Sequence, residues 1–240
     1  MTRGRAGGLV AVAIGPLGWC LMLGALVGGD PTLAIELVGG VLVAVWIALL
    51  TWDVVASHRL ASTLSVDAQD MALFGVPCRV TPGLGTDALV VGSARPRIFV
   101  GARLITALSD DELEAVLFHE DHHRRTRAPL RAAALGAWLR LLGRSESIRS
   151  VVVDRLTDLE TLADADAIRR GSSPRSLARA LVKGDAAVQP VSFSYAADRR
   201  VEQLLDRAAG IPIQATGRLP YEWLPVALLA VATLGCHAGL

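Results

Sequence analysis

The sequence predicts an α+β fold, mostly helical, in which a domain with a small antiparallel sheet is anchored by about three transmembrane helices. Three observations carry this. The 240-residue chain is 52% hydrophobic and only 20% charged, against about 25% charge in ordinary soluble domains, and its mean hydropathy is +0.44. Its charge-free runs gather toward the two ends. Between them, short β-rich stretches give way to long stretches with helical patterning. The same apolar content excludes a disordered chain. The net charge of +1 gives no bulk electrostatic basis for binding nucleic acid. Cys20, Cys78 and Cys236 are odd in number and far apart, so they form neither a disulfide framework nor a thiolate zinc site.

The membrane elements come first in the chain. Residues 6–29 carry no charge. They exceed the ~20 residues that cross the hydrocarbon core and outrun the ~7–15 apolar residues of a signal peptide. After the short loop Asp30-Pro31-Thr32 a second run extends from Leu33 to Trp52, with Glu36 near its start and Trp46 and Trp52 toward its end, where tryptophan suits the headgroup boundary. Residues 1–56 are therefore expected to form a transmembrane hairpin. Residues 221–240, apolar from Trp223 onward, are expected to form a C-terminal span. The segment Ala128–Gly143 carries Arg131 and Arg140, each costing ~2.5–3.5 kcal/mol at a bilayer centre, so it reads as a packed or interfacial helix. Arg3, Arg5, His58 and Arg59 flank one side of the hairpin, whereas its loop has only Asp30. The positive-inside rule then gives a multi-pass protein of the cell membrane whose central domain, residues 57–220, is cytoplasmic.

In that domain, β-rich pieces at Cys78–Thr81, Ala88–Gly92 and Arg97–Val100 are separated by Pro82-Gly83-Leu84-Gly85 and Ser93-Ala94-Arg95-Pro96, which are turn formers. Ser109-Asp110-Asp111-Glu112 has the form of a capping box. It opens a helix from Asp111 to about Arg127, where Arg124, Arg125 and Arg127 suit the negative end of the dipole. Further helices are expected from about Ile148 to Arg170, stopped by Gly171-Ser172-Ser173-Pro174, and from Asp198 to Ala209.

Two of these helices carry the chemistry. His119, Glu120 and His123 form HExxH. Residues i and i+4 of a helix stand on one face, so the two imidazoles can share one Zn²⁺, and the glutamate between them can act on a water held there. His122 points off that face and reads as a surface residue or a support to the site. A catalytic zinc takes a third protein ligand and leaves a fourth position open. On the next long helix Glu160 and Asp164 are again i and i+4: Glu160 is assigned as the ligand and Asp164 as the carboxylate that orients a histidine. Ala163 or Ala167 would allow close helix approach. Asp158 and Asp166 fall on other faces and read as solvated acids.

HExxH followed by Glu160-Thr161-Leu162-Ala163-Asp164 resembles the membrane zinc metallopeptidases of the BlaR/MecR type, and more distantly the HtpX and CAAX-prenyl-protease type. Arg95 to Val100 is similar to the strand before their active helix, Leu108 to His123 to the segment around their HExxH, and Asp198-Arg199-Arg200-Val201 to a late basic motif. The resemblance covers roughly residues 77–205. It implies a zincin-like metallopeptidase domain with one Zn²⁺ per chain on His119, His123 and Glu160, and Glu120 as general base and acid. The family's R-x-D after the second histidine is replaced here by Arg125-Thr126-Arg127. The penicillin-binding sensor domain, with its S-x-x-K and K-T-G motifs, is absent from this sequence.

The expected reaction is hydrolysis of peptide bonds, with a peptide or protein substrate extended along a sheet edge, either Ala88–Gly92 or Arg97–Val100. Tyr195, Arg199 and Arg200 are the candidates to stabilise the oxyanion or contact substrate. A cytoplasmic transcriptional repressor and membrane proteins are the two substrate classes expected, and the lipid bilayer is the other partner. The competing expectations are a zinc-stabilised membrane scaffold or signal transducer without proteolysis, and a membrane-anchored interaction protein without metal.

Overall fold

The computed structural model describes residues 31–184 together with Leu204, Leu205 and Ala208. The expected span over residues 6–29, the expected C-terminal span, Tyr195, Arg199 and Arg200 lie outside the described residues, as does the expected helix from Asp198 to Ala209 apart from those three helical positions. The chain divides into two units: residues 1–52, 133–154 and 218–240 form one, and residues 53–132 and 155–217 form the other.

Helix α1 (Pro31–Leu64) is a single 34-residue helix that continues to Leu64, past the end of the apolar run at Trp52. Among the described residues one stretch, Gly39–Leu64 with mean hydropathy 2.0, is long and apolar enough to cross a membrane. In the first unit Val41, Val45, Ile47 and Trp52 of α1 are exposed, but Trp46 is buried. Trp46 packs against a neighbouring helix. Its ring lies 5.5 Å from that of Trp138 and its Nε1–H donates to the Ala134 carbonyl at 3.3 Å. Both partners belong to α4 (Ala128–Leu142), where Ala134 and Ala137 are fully buried, so the Ala128–Gly143 stretch is a packed helix.

The second unit is built on four strands, β1 (Gln69–Leu73), β2 (Val76–Thr81), β3 (Ala88–Val91) and β4 (Arg97–Gly101), in the order β1-β2-β4-β3. The sheet is mixed, not antiparallel as expected. β1–β2 and β3–β4 are antiparallel, but β2 and β4 run parallel, pairing Arg79 with Phe99, Val80 with Val100 and Thr81 with Gly101. The cause is the connection after β2. A 3₁₀ turn at Pro82–Leu84 and Gly85 at φ +59° carry the chain past the place β4 will occupy, so β3 lies at the edge and β4 returns between β3 and β2. This crossing requires glycine at position 101, because a Cβ there would stand 2.2 Å from the Gly85 carbonyl oxygen. The Gly101 N–H donates to the Asp87 carbonyl at 2.7 Å in the same approach. Arg97–Val100 is therefore a central strand and cannot serve as the open edge suggested for substrate, whereas β3 can.

The central position of β4 explains its unbroken apolar run. Ile98 and Val100 enter the main core with Val76, Cys78 and Leu104. Phe99, on the opposite face, is buried with Leu64 and Val91, and Ala61 packs beside them. The last turns of α1 are thus part of this unit, and Ser57 Oγ accepts the Gly92 N–H at 3.0 Å. Over the main core lie α2 (Ala102–Ala107), α3 (Asp110–Thr126), α5 (Glu146–Arg169) and α6 (Pro174–Gly184). They contribute Leu104, Leu113, Leu117, Ala167 and Leu177 to it.

Candidate metal centre

Helix α3 begins where the capping box places it. The Ser109 N–H donates to Glu112 Oε2 at 3.0 Å, and Asp110, Asp111 and Glu112 occupy the positive end of the dipole. Glu112 is buried. Lys183 Nζ, from the last turn of α6, lies 2.6 Å from it and Arg179 Nε 3.2 Å. Burial pushes this carboxyl up, but the Lys183 and Ser109 hydrogen bonds and the charges of Lys183 and Arg179 outweigh it and hold it below the usual range. The chain's single lysine thus fixes the start of the helix that bears HExxH. The other end is closed by Arg127, left-handed at φ 53°.

One turn apart on α3, His119 and His123 are both buried, with ring centroids 4.5 Å apart and planes at 84°. Their Nε2 atoms are 2.9 Å from each other. Glu160, from α5, completes the triangle: its Oε2 is 3.4 Å from His119 Nε2 and its Oε1 is 3.4 Å from His123 Nε2. No other group of three such residues able to hold a metal ion is found among the described residues. Donors ~2.0–2.1 Å from a tetrahedral zinc stand about 3.3 Å apart. Each histidine Nε2 has a Glu160 oxygen at about that separation, a different oxygen for each, and the His–His distance is about 0.4 Å shorter. Two imidazoles and one carboxylate are a donor set suited to zinc.

Asp164 stands beside the first histidine. Its Oδ1 is 2.8 Å from His119 Nδ1, and both side chains are buried. A carboxylate at that distance favours a proton on Nδ1, the tautomer that would present the Nε2 lone pair to the cluster. His123 Nδ1 is buried without a hydrogen-bond partner among the described residues. Glu120 sits half-buried beside His119 on the same helix.

The structure brings together residues that the sequence reading left apart. Asp166 is not a solvated acid: only 8% of it is exposed. It receives Arg125 Nη2 on one oxygen, with His122 Nδ1 3.4 Å from the same atom, and Arg169 Nη2 at 2.6 Å on the other. Asp121, equally buried, takes Arg124 Nη2 at 2.6 Å, Arg125 Nε at 3.1 Å and Arg170 Nη1 at 2.8 Å. The Arg170 guanidinium also lies 3.8 Å from the Phe118 ring centroid, within cation–π range. Burial raises both carboxyls, and the arginines more than reverse it, so both titrate below the usual range. Burial lowers His122, and the nearby Asp166 charge opposes this without cancelling it. Asp158, by contrast, is the surface acid expected, paired with Arg155 at 3.0 Å.

With family models, with characterised proteins and with solved structures alike, comparison yields no match for this chain.

Proposed function

We propose that the chain is an integral-membrane zinc metalloendopeptidase of the kind its HExxH and Glu160–Asp164 segments resemble, anchored by several spans with its site on the cytoplasmic side. The observation that carries this is the convergence of His119 Nε2, His123 Nε2 and the Glu160 carboxylate, brought from two helices to within metal-sharing distance. The long apolar stretch of α1 supports the membrane part.

His119, His123 and Glu160 would hold the ion. Bound there, zinc supplies Lewis acidity toward a water and a scissile carbonyl. Glu120 accepts the proton of the attacking water and returns it to the leaving amine, a role that a structural metal site does not require. Asp164 keeps His119 in the ligating tautomer. A peptide is held extended along β3, the edge strand of the sheet among the described residues, by strand addition. The substrate is a protein of the cytoplasm or the membrane, with a transcriptional repressor as one class.

The test is Glu120→Gln in the full chain, with cleavage of co-expressed proteins and zinc content measured together. Acid–base catalysis contributes ~10²–10⁴-fold, and here one residue serves both steps, so cleavage should fall toward the upper end while zinc stays bound. Equal cleavage by parent and variant refutes the role of Glu120. Zinc bound by both with no cleavage by either favours the scaffold reading, and a parent without zinc removes the metal altogether.

A further inference from the structure

Two families of charge contact surround the centre, and they differ in what they join. Arg124 and the Nε of Arg125 meet Asp121, and Arg169 meets Asp166, each within its own helix. Arg125 on α3 also reaches Asp166 on α5, and Arg170, one residue past the end of α5, reaches Asp121 on α3. These two bridges run in opposite directions between the helices. Both carboxylates are nearly excluded from solvent, at 9% and 12% side-chain exposure, so each demands its full set of donors. Planar guanidinium forks satisfy that demand only in a narrow range of positions. The bridges leave from the helices that carry His119, His123 and Glu160, and Arg125 is only two residues beyond His123. Ala163 and Ala167 on α5 are small and fully buried. The two bridges thus tie α3 to the C-terminal end of α5.

We propose that Arg125 and Arg170, acting through Asp166 and Asp121, are positioning residues for the metal. Their crossed bridges hold Glu160 in register with the two histidines before any ion arrives. This rests on reading the centre as a metal site, and it adds that site's preorganisation. Arg124 and Arg169 supply the control, since they bond the same carboxylates at the same 2.6 Å without joining the helices. Arg125 is 47% exposed, so replacing it opens no cavity.

The experiment uses the full chain in detergent, stripped of metal. It compares Arg125→Met and Arg170→Met with Arg124→Met and Arg169→Met, in zinc affinity, Co²⁺ absorption and metal-free thermal unfolding. Supports around a metal ligand are worth ~10–100-fold in affinity. Each cross-helix variant should therefore lose about tenfold and alter the Co²⁺ spectrum. Each same-helix variant should stay within about twofold of the parent. Arg125→Lys, which keeps the charge, should recover part of the loss. Four variants that weaken zinc binding in proportion to their unfolding midpoints would show general stability alone and overturn the proposal, as would cross-helix variants that bind like the parent. A parent that binds neither ion defeats the metal reading itself.

Discussion

Truncating Asp164 to alanine should weaken zinc binding without removing a ligand, and the structure sets how much. The Asp164 carboxylate is 2.8 Å from His119 Nδ1 and its side chain is 6% exposed. With the methyl group of alanine in its place, His119 Nδ1 loses that neighbouring carboxylate in a buried setting where water does not readily replace it. A buried donor left unmet costs about 1–3 kcal/mol. The ligating tautomer must bear that cost, so zinc affinity should fall roughly 5- to 150-fold, bracketing the ~10–100-fold typical of groups that support a metal ligand. Asp164→Asn keeps an oxygen acceptor but gives up the charge and should fall between. Glu160→Ala deletes one of the three donors and should lose much more than either. The assay is competition for zinc against a chromophoric chelator on the stripped protein, with unfolding recorded in parallel. Parent-like affinity for Asp164→Ala would refute the argument. So would a loss as large as that of Glu160→Ala, since it would make Asp164 a ligand in its own right.

Two further outcomes are expected. Gly101→Ala must push the Gly85 turn aside, because a Cβ 2.2 Å from that backbone oxygen cannot be relieved by rotating a side chain. A loss of about 3 kcal/mol or more, read as a fall in the chemical-denaturation midpoint, is expected, and a midpoint like the parent's contradicts the described crossing. The metal-free protein should also be acid-sensitive. Asp121, Asp166 and Glu112 titrate below their ordinary values when folded, so their stabilisation is present above the unfolded carboxylate range of about pH 4 and is lost as the pH falls through the folded values. His122 is lowered as well, and its contribution begins to fade below about pH 6.5. Thermal midpoints that rise on acidification from about pH 7 to 4 would contradict the His122 assignment, and midpoints that rise from about pH 4 to 2 those of the three carboxylates.

The sequence made the centre more legible than its support. A capping box and two pairs at i, i+4 are local signals, and the structure puts α3 at Asp110–Thr126 and α5 at Glu146–Arg169, within two residues of the expected limits. Strand β1 gave no such signal: Gln-Asp-Met-Ala-Leu is neither β-branched nor aromatic. Its hairpin turns on Phe74 and Gly75, both at positive φ, and phenylalanine is an unusual residue there. The parallel pairing of β2 with β4 depends on the path between them, which strand periodicity does not encode. Arg124 and Arg125 were read as complements of a helix end because that role is visible one-dimensionally. Asp166 was read as solvated because its partners Arg125 and His122 come from a helix more than forty positions away. Non-local charge networks of this kind leave no spacing rule to find.

The sheet has a second edge, and it shapes how the protein behaves at high concentration. Beyond β1 no strand follows among the described residues, and four of its five residues are exposed, with Met71 and Phe74 adding apolar surface. An open strand edge of this kind is a template for another chain to pair with. Asp70 stands against that outcome. Its side chain is 76% exposed and is held by Arg79 at 2.6 Å, so a second copy docking there would have to bury or displace an ion pair. Losing that one charge would leave a short polar-poor strand with nothing to deter self-association, making Asp70 a guardian of solubility and no part of the chemistry.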